Sequence, residues 1–219
     1  MKKRLLIAFI LLFLFTTFNA QQNLNFKINS KINEIIIENN LIINESEIKK
    51  DLSFLYSKNL FFIKNSDINK NLSQSSFIES FEIKKIYPSK LKIKIYEKKP
   101  IAILQNKMRK YYFTDKGDTI DFIDLKKFES LPLVFGDELN FKKFHSSLKK
   151  INFPINTVKT FYFFETKRWD LTTKQNQTIK LPPKNFEKSL KNFMSIKNEE
   201  NFIQFKTFDY RIKEQLIIK

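Results

Sequence analysis

The chain has 219 residues, 40 Lys and Arg against 23 Asp and Glu, a formal charge of +17, 25 Phe, two Gly and no Cys. That length supports one or two domains with a sizeable core, and the lack of Cys excludes disulfides, thiol catalysis and Cys-ligated zinc or iron–sulfur sites. The charge does not single out nucleic acid: the lysines run through every segment rather than forming one stripe, and high Lys, Asn, Ile and Phe with little Gly or Ala is what AT-rich coding produces.

At the N-terminus, Lys2-Lys3-Arg4 precede an uncharged apolar run from Leu5 to Phe18. At about 1.5 Å per residue that run covers roughly 21 Å of a hydrocarbon core near 30 Å. It is short for a spanning helix and suits the apolar region of a signal peptide, with Ala20 as cleavage residue although Phe18 stands where a small residue is wanted. Extension through Gln22, or local thinning of the bilayer, lets the segment span. On either reading the basic cluster stays cytoplasmic and the chain after residue 20 is exported.

Residues 28–99 predict an α+β unit. Ile32–Ile37 is a β-branched strand. Asn44 and Glu47 have the spacing of a capping box, opening a helix whose Ile48, Leu52 and Leu55 form one stripe. After Leu60–Ile63, Ser66 is placed as the cap of a second helix carrying Ile68 and Leu72. A strand over 77–86, with Phe81 and Ile83 on one face, meets a Tyr87-Pro88 turn. The next strand alternates, placing Leu91, Ile93 and Ile95 inward and Lys92 and Lys94 outward as solvated charges. The order is strand, helix, helix, strand, strand, and Pro100 favours an extended crossing into the second half of the chain.

Residues 100–219 predict an antiparallel, sheet-dominated unit with two helices. Asp115-Lys116-Gly117-Asp118 separates two apolar runs, as a hairpin turn with Gly117 at positive φ. A helix after Asp137 buries Phe141, Phe144 and Leu148. Strand-like pieces at 161–164, 168–173 and 177–181 precede a helix after Pro182-Pro183 with Phe186, Leu190, Phe193 and Met194 on one face, and 202–205 and 208–219 close the chain. His145, the only histidine, borders the apolar stripe of its helix and reads as structural. Asp115, Asp118 and Asp121 cluster at a turn, where aspartate serves the backbone, rather than facing each other across a cleft. No catalytic residue, cofactor site, metal site or small-molecule substrate is assigned.

Several of these elements together are similar to the bacterial cell-division family FtsQ/DivIB. The β-α-α-β-β order and Glu97-x-x-Pro100-x-Ala102 resemble its POTRA domain. The Phe113-to-Gly117 hairpin, Leu131-Pro132 with Gly136, Arg168-Trp169, Leu181 and Asp209-Tyr210-Arg211 resemble its β domain, in order. The chain departs from the family pattern at Asn176 and Pro182, where Gly is usual, and at Ile212, where an aromatic is usual. The resemblance implies a cytoplasmic tail (1–4), a transmembrane anchor (5–22), a POTRA domain (28–99) and a β domain (100–219). It implies a non-enzymatic, single-pass inner-membrane scaffold of the septum, binding FtsB- and FtsL-type partners. The expected mechanism is strand addition at a final edge strand, Gln215, Leu216, Ile217 and Ile218. Arg168 and Arg211 are the candidates for contacts to partner carboxylates, and Ile212, Leu216 and Ile218 for apolar ones. The alternative is an exported POTRA-containing assembly or transport factor that binds client chains.

Overall fold

A computed structural model describes residues 2–17, 30–107 and 109–219. Helix α1, Lys2–Thr17, is 16 residues long, about 24 Å at the usual rise, and its apolar side chains from Leu5 to Phe15 are exposed. Among the described residues no helix is long and apolar enough to cross a membrane. The rest of the expected anchor, residues 18–22, and the candidate cleavage residue Ala20 lie outside the described residues.

The N-terminal unit runs β1 (Glu34–Glu38), α2 (Glu45–Asp51), two 3-10 turns (Ser53–Ser57 and Leu60–Phe62), α3 (Asn65–Leu72), β2 (Ile78–Ile86) and β3 (Lys90–Glu97). Its sheet has the order β1-β3-β2, with β1 parallel and β2 antiparallel to β3. Alternation sends Ile35, Ile37, Leu91, Ile93 and Ile95 to one face, where Ile48, Leu52, Leu55, Ile68 and Leu72 close over them. The α-helix itself stops at Asp51, so the apolar stripe continues on a 3-10 turn. Two caps differ from expectation. Asn44 occupies the first cap without a side-chain bond, its carbonyl accepting from Glu47 and Ile48 N–H. The second cap is Lys64 rather than Ser66, because Asp67 reaches back to accept from Lys64 N–H at 3.2 Å. The lysine face is ion-paired rather than simply solvated: Lys90 meets Glu34 and Lys92 meets Glu38, both at 2.7 Å.

The second unit is one nine-stranded sheet, β12-β11-β10-β9-β8-β7-β4-β5-β6. Its strands are β4 (Pro100–Asn106), β5 (Arg109–Thr114), β6 (Thr119–Asp121), β7 (Leu133–Phe135), β8 (Val158–Phe163), β9 (Trp169–Thr173), β10 (Thr178–Lys180), β11 (Thr207–Asp209) and β12 (Ile217–Ile218). Helix α4 (Glu138–Lys150) lies between β7 and β8, and α5 (Phe186–Ile196) and α6 (Glu200–Ile203) between β10 and β11. The expected antiparallel sheet is therefore mixed. β7 pairs β8 and β10 pairs β11 in parallel, since a helical crossover returns the chain in the same direction, and β4 pairs β7 in parallel as well. The short α6, covering part of 202–205, is a third helix where two were expected.

Register explains the core. Leu104, Val134, Phe161, Leu171, Ile179, Phe208 and Ile218 stand opposite one another across seven strands. All are on the face against which Phe141, Phe144, Leu190 and Phe193 pack. His145 is buried there, its ring 5.4 Å from that of Phe113. Burial, with Lys149 nearby, pushes the imidazole pKa down. Gly117 takes φ +86° in the β5–β6 turn as expected, and a Cβ at Gly136 would meet Phe163 Cβ at 3.0 Å. In so glycine-poor a chain, left-handed positions fall largely to asparagine: Asn39, Asn152, Asn176 and Asn185 all have φ between 53° and 64°. The departure at Asn176 thus keeps the backbone conformation that glycine serves.

The two units meet at an aromatic seam. Phe77 packs on Tyr112, which also contacts Phe122 and Phe128 and donates its hydroxyl to Ile123 O at 2.6 Å. Within the N-terminal unit, the Glu97 carboxylate accepts from the N–H groups of Leu41, Ile42 and Ile43 at 2.8 to 3.0 Å, holding the loop whose Ile42 and Ile43 pack on the seam. Lys116 pairs with Glu79 across the junction.

Candidate partner-binding edge

The large sheet ends at β12, which pairs only with β11. Thr207 and Lys219 exchange both backbone hydrogen bonds, at 3.0 and 3.1 Å. In an antiparallel ladder, the next pair along, Phe208 and Ile218, is then the non-bonded one. The N–H and C=O of Ile218 consequently point away from β11, toward the open edge.

The final strand, expected over 215–218, is formed only by Ile217 and Ile218. Ile218 and Leu216 pack on the core and Ile217 is exposed, as alternation requires, while Ile212 is exposed on the bend that precedes the strand. Apolar contacts assigned to Leu216 and Ile218 from sequence are thus largely made within the chain, and Ile212 and Ile217 offer the outward apolar surface. Arg211, Ile212, Gln215 and Leu216 do come together: they line an open groove of about 590 Å³ against Pro182, Lys188 and their neighbours at the start of α5. Tyr210 floors this groove, donating to Asn192 Oδ1 at 2.9 Å, and burial pushes its phenol pKa up. Sequence reasoning did not single out Tyr210 or α5 as part of the site. The buried hydroxyl between Asp209 and Arg211 becomes apparent only once α5 lies beside β11.

The two arginines are held by their own chain. Arg211 donates from Nε and Nη2 to the Asp209 carboxylate, the shortest contact being 2.6 Å. That pairing holds the Asp209 pKa below its usual range. Arg168 lies over the Phe164 ring and reaches Asp170 Oδ1 at 3.4 Å. Burial pushes the Asp170 pKa up, and Arg168 opposes it. Asp170, Lys180, Asp209 and Ile217 are register partners in one row on the sheet's outer face. Arg168 is therefore joined to the edge by a row of alternating charge rather than by direct contact. Among the described residues no cluster of His, Asp and Glu could hold a metal.

Two family patterns match the chain: a POTRA domain of FtsQ type over residues 30–98, and the C-terminal region of cell division protein FtsQ/DivIB over 102–211. The second match ends at Arg211, before β12. Among curated proteins, the cell division protein FtsQ of Rickettsia typhi is 30% identical, the alignment covering 88% of this chain and 74% of that protein. That of Rickettsia felis is 29% identical over 98% of this chain and 85% of its own length. The solved extracytoplasmic domain of the cell division protein DivIB from Geobacillus stearothermophilus is 13% identical, with a TM-score of 0.34, covering 48% of this chain and 96% of that one.

Proposed function

The chain belongs to the FtsQ/DivIB family of cell-division proteins, and from that premise we propose that it is a non-catalytic scaffold of the divisome at the inner membrane. In this reading residues 1–4 are cytoplasmic, 5–22 anchor the chain, 28–99 are the POTRA domain and 100–219 the partner-binding β domain. FtsB- and FtsL-type proteins are the partners, and through them the chain bears on septal peptidoglycan synthesis.

The observation that carries the partner reading is the outward turn of the Ile218 backbone on a sheet edge beside the groove of Tyr210, Ile212 and Leu216. A partner strand laid along β12 gains main-chain hydrogen bonds there, and side chains entering the groove supply specificity. Arg168 and Arg211 lie on the same outer face to meet acidic residues, each already oriented by an aspartate. The basic cluster at residues 2–4 ahead of an apolar helix supports a cytoplasmic N-terminus.

The test is Ile218→Pro in the full chain. Proline removes the outward N–H without breaking a bond to β11 and is tolerated on a strand edge at such a position, though it also trims a side chain that packs on the core. Co-purification with an FtsB-type partner is expected to fall at least about tenfold, one lost hydrogen bond plus a steric block to strand addition, while Ile218→Val retains binding. Undiminished capture by the proline variant would end the strand-addition reading. Septal enrichment of a fluorescent fusion tests the scaffold reading itself, and a uniform envelope signal would count against it.

A further inference from the structure

Three separate segments converge where the chain enters the POTRA domain. Leu60 N–H donates to Ser30 O at 2.7 Å, Ile32 N–H to Lys58 O at 3.2 Å, and Asn33 N–H to Ser89 O at 3.0 Å. Lys85 Nζ adds a bond to Phe61 O at 2.9 Å. Residues 30–33, 56–64 and 84–90 contain six lysines and no Asp or Glu, and of these lysines Lys90 is paired with Glu34. On this basic ground stand the aromatics that the domain leaves outside its core. Phe62 is 78% exposed, Tyr87 55% and Phe61 48%, with the Phe61 and Tyr87 rings 4.8 Å apart.

Their place in the chain says what covers them. Helix α1 is described as far as Thr17, and only residues 18–29 lie between Thr17 and Ser30. Even fully extended, twelve residues reach roughly 40 Å, which bounds how far Ser30, bonded to Leu60 beside the patch, stands from Thr17 of an apolar helix. Rings beside a predominantly basic field, in which Glu34 pairs with Lys90 and Asp67 caps the helix at Lys64, are the composition of a membrane interface: aromatics settle at headgroup level, and each cation gains from anionic lipid. The short tether turns this into an intramolecular encounter at high effective concentration.

We propose that Phe61, Phe62 and Tyr87, flanked by Lys31, Lys58 and Lys64, dock the POTRA domain on the surface of an anionic bilayer. The docking rests on α1 being the membrane anchor. It fixes the domain's orientation at the bilayer and turns this end of its sheet away from soluble partners.

Because the chain has no native cysteine, single labels report without interference. Full-length Phe62→Cys and Ile203→Cys variants carry an environment-sensitive fluorophore and are reconstituted in phosphatidylcholine vesicles with or without phosphatidylglycerol, doped with headgroup-labelled nitroxide lipid. The label at 62 is expected to be quenched with phosphatidylglycerol present, and the label at 203 to remain in water. Lys58→Glu and Lys64→Glu each weaken the docking equilibrium by about fivefold or more, and salt has the same effect. Equal, weak quenching at both sites in chains that float with the vesicles overturns the docking and leaves the anchor standing. Chains that do not float overturn both. A label at 62 shielded in native envelopes but not in vesicles overturns the lipid assignment in favour of a protein.

Discussion

The two sheets each bury one face under helices, yet they fill that face with different side chains. The fully buried residues of the POTRA core are all Ile and Leu. The β-domain core contains Phe113, Phe141, Phe144, Phe161, Phe193, Phe208 and Trp169. Three strands under helices of two turns leave a shallow layer that branched aliphatics fill, and β-branched Ile suits the pleat. Nine strands under the longer α4 and α5 enclose a wider space, where each ring buries more area and ring edges interlock. Of the POTRA domain's own aromatics, Phe54 and Phe81 pack only at the margin of its core, Phe77 enters the seam, and Phe61, Phe62 and Tyr87 lie on the surface. Phenylalanine count therefore says little about which sheet holds the rings. The space between layers decides it.

The sharpest break in this contrast is Phe161→Ala, at the centre of the aromatic core. A loss of about 3–5 kcal/mol is expected, read as a shift of the denaturant midpoint followed by Trp169 fluorescence. The next effect is Glu97→Gln. It weakens bonds within the POTRA domain, to the N–H groups of the 41–43 loop whose Ile42 and Ile43 pack against the seam, and is expected to cost about 1.5–3 kcal/mol. Calorimetry should show the POTRA transition shifted down relative to that of the β domain; an unmoved transition would mean that the seam rings hold the loop without the carboxylate. Gly136→Ala probes how tightly the rings are packed, since its Cβ would lie 3.2 Å from Trp169 Cη2. Overpacking of that kind costs roughly 1–3 kcal/mol, and an unchanged midpoint would mean the aromatic core yields easily. On the aliphatic side, Ile93→Val removes one buried methyl and should cost only about 0.5–1.5 kcal/mol.

The smallest contrast is one of pH. His145 is the sole histidine and is buried among β-domain rings, with its folded pKa below the unfolded value of about 6.5. The unfolded chain therefore binds the proton more readily. The His145 contribution is fully present above the unfolded pKa and is lost as pH falls from there toward the folded value. The denaturant midpoint should be lower at pH 5.5 than at pH 7.5, and His145→Phe should flatten that slope. Monitoring both domains would place the slope in the β domain; an unchanged slope in the variant would assign it to other groups.

Much of the fold was legible because local patterns carry it. Period-two alternation in Leu91, Ile93 and Ile95, and helical spacing in Phe141, Phe144 and Leu148, each name a buried face, and all six are buried. Gly117 named its turn through the conformation only glycine takes freely. Capping was less legible: Asn44 and Ser66 had suitable side chains, but neighbouring geometry gave the first a backbone cap and moved the second to Lys64. Of the candidate edge, Arg211, Ile212, Gln215 and Leu216 were found together on one groove. Arg168 is linked to them only through the charged row, and Tyr210 was not anticipated.

By itself, then, the sequence determined where most strands and helices lie and which face of each is apolar, because bond geometry sets those periods within a few residues. Only the tertiary structure decided which strands are neighbours. The parallel pairs made by helical crossovers, β12 at the edge with the Ile218 backbone facing out, and three lysine-bearing segments meeting beside Ser30 all join residues far apart along the chain. Such contacts depend on which distant faces can bury each other at a tolerable loop-closure entropy, and no local period encodes that choice.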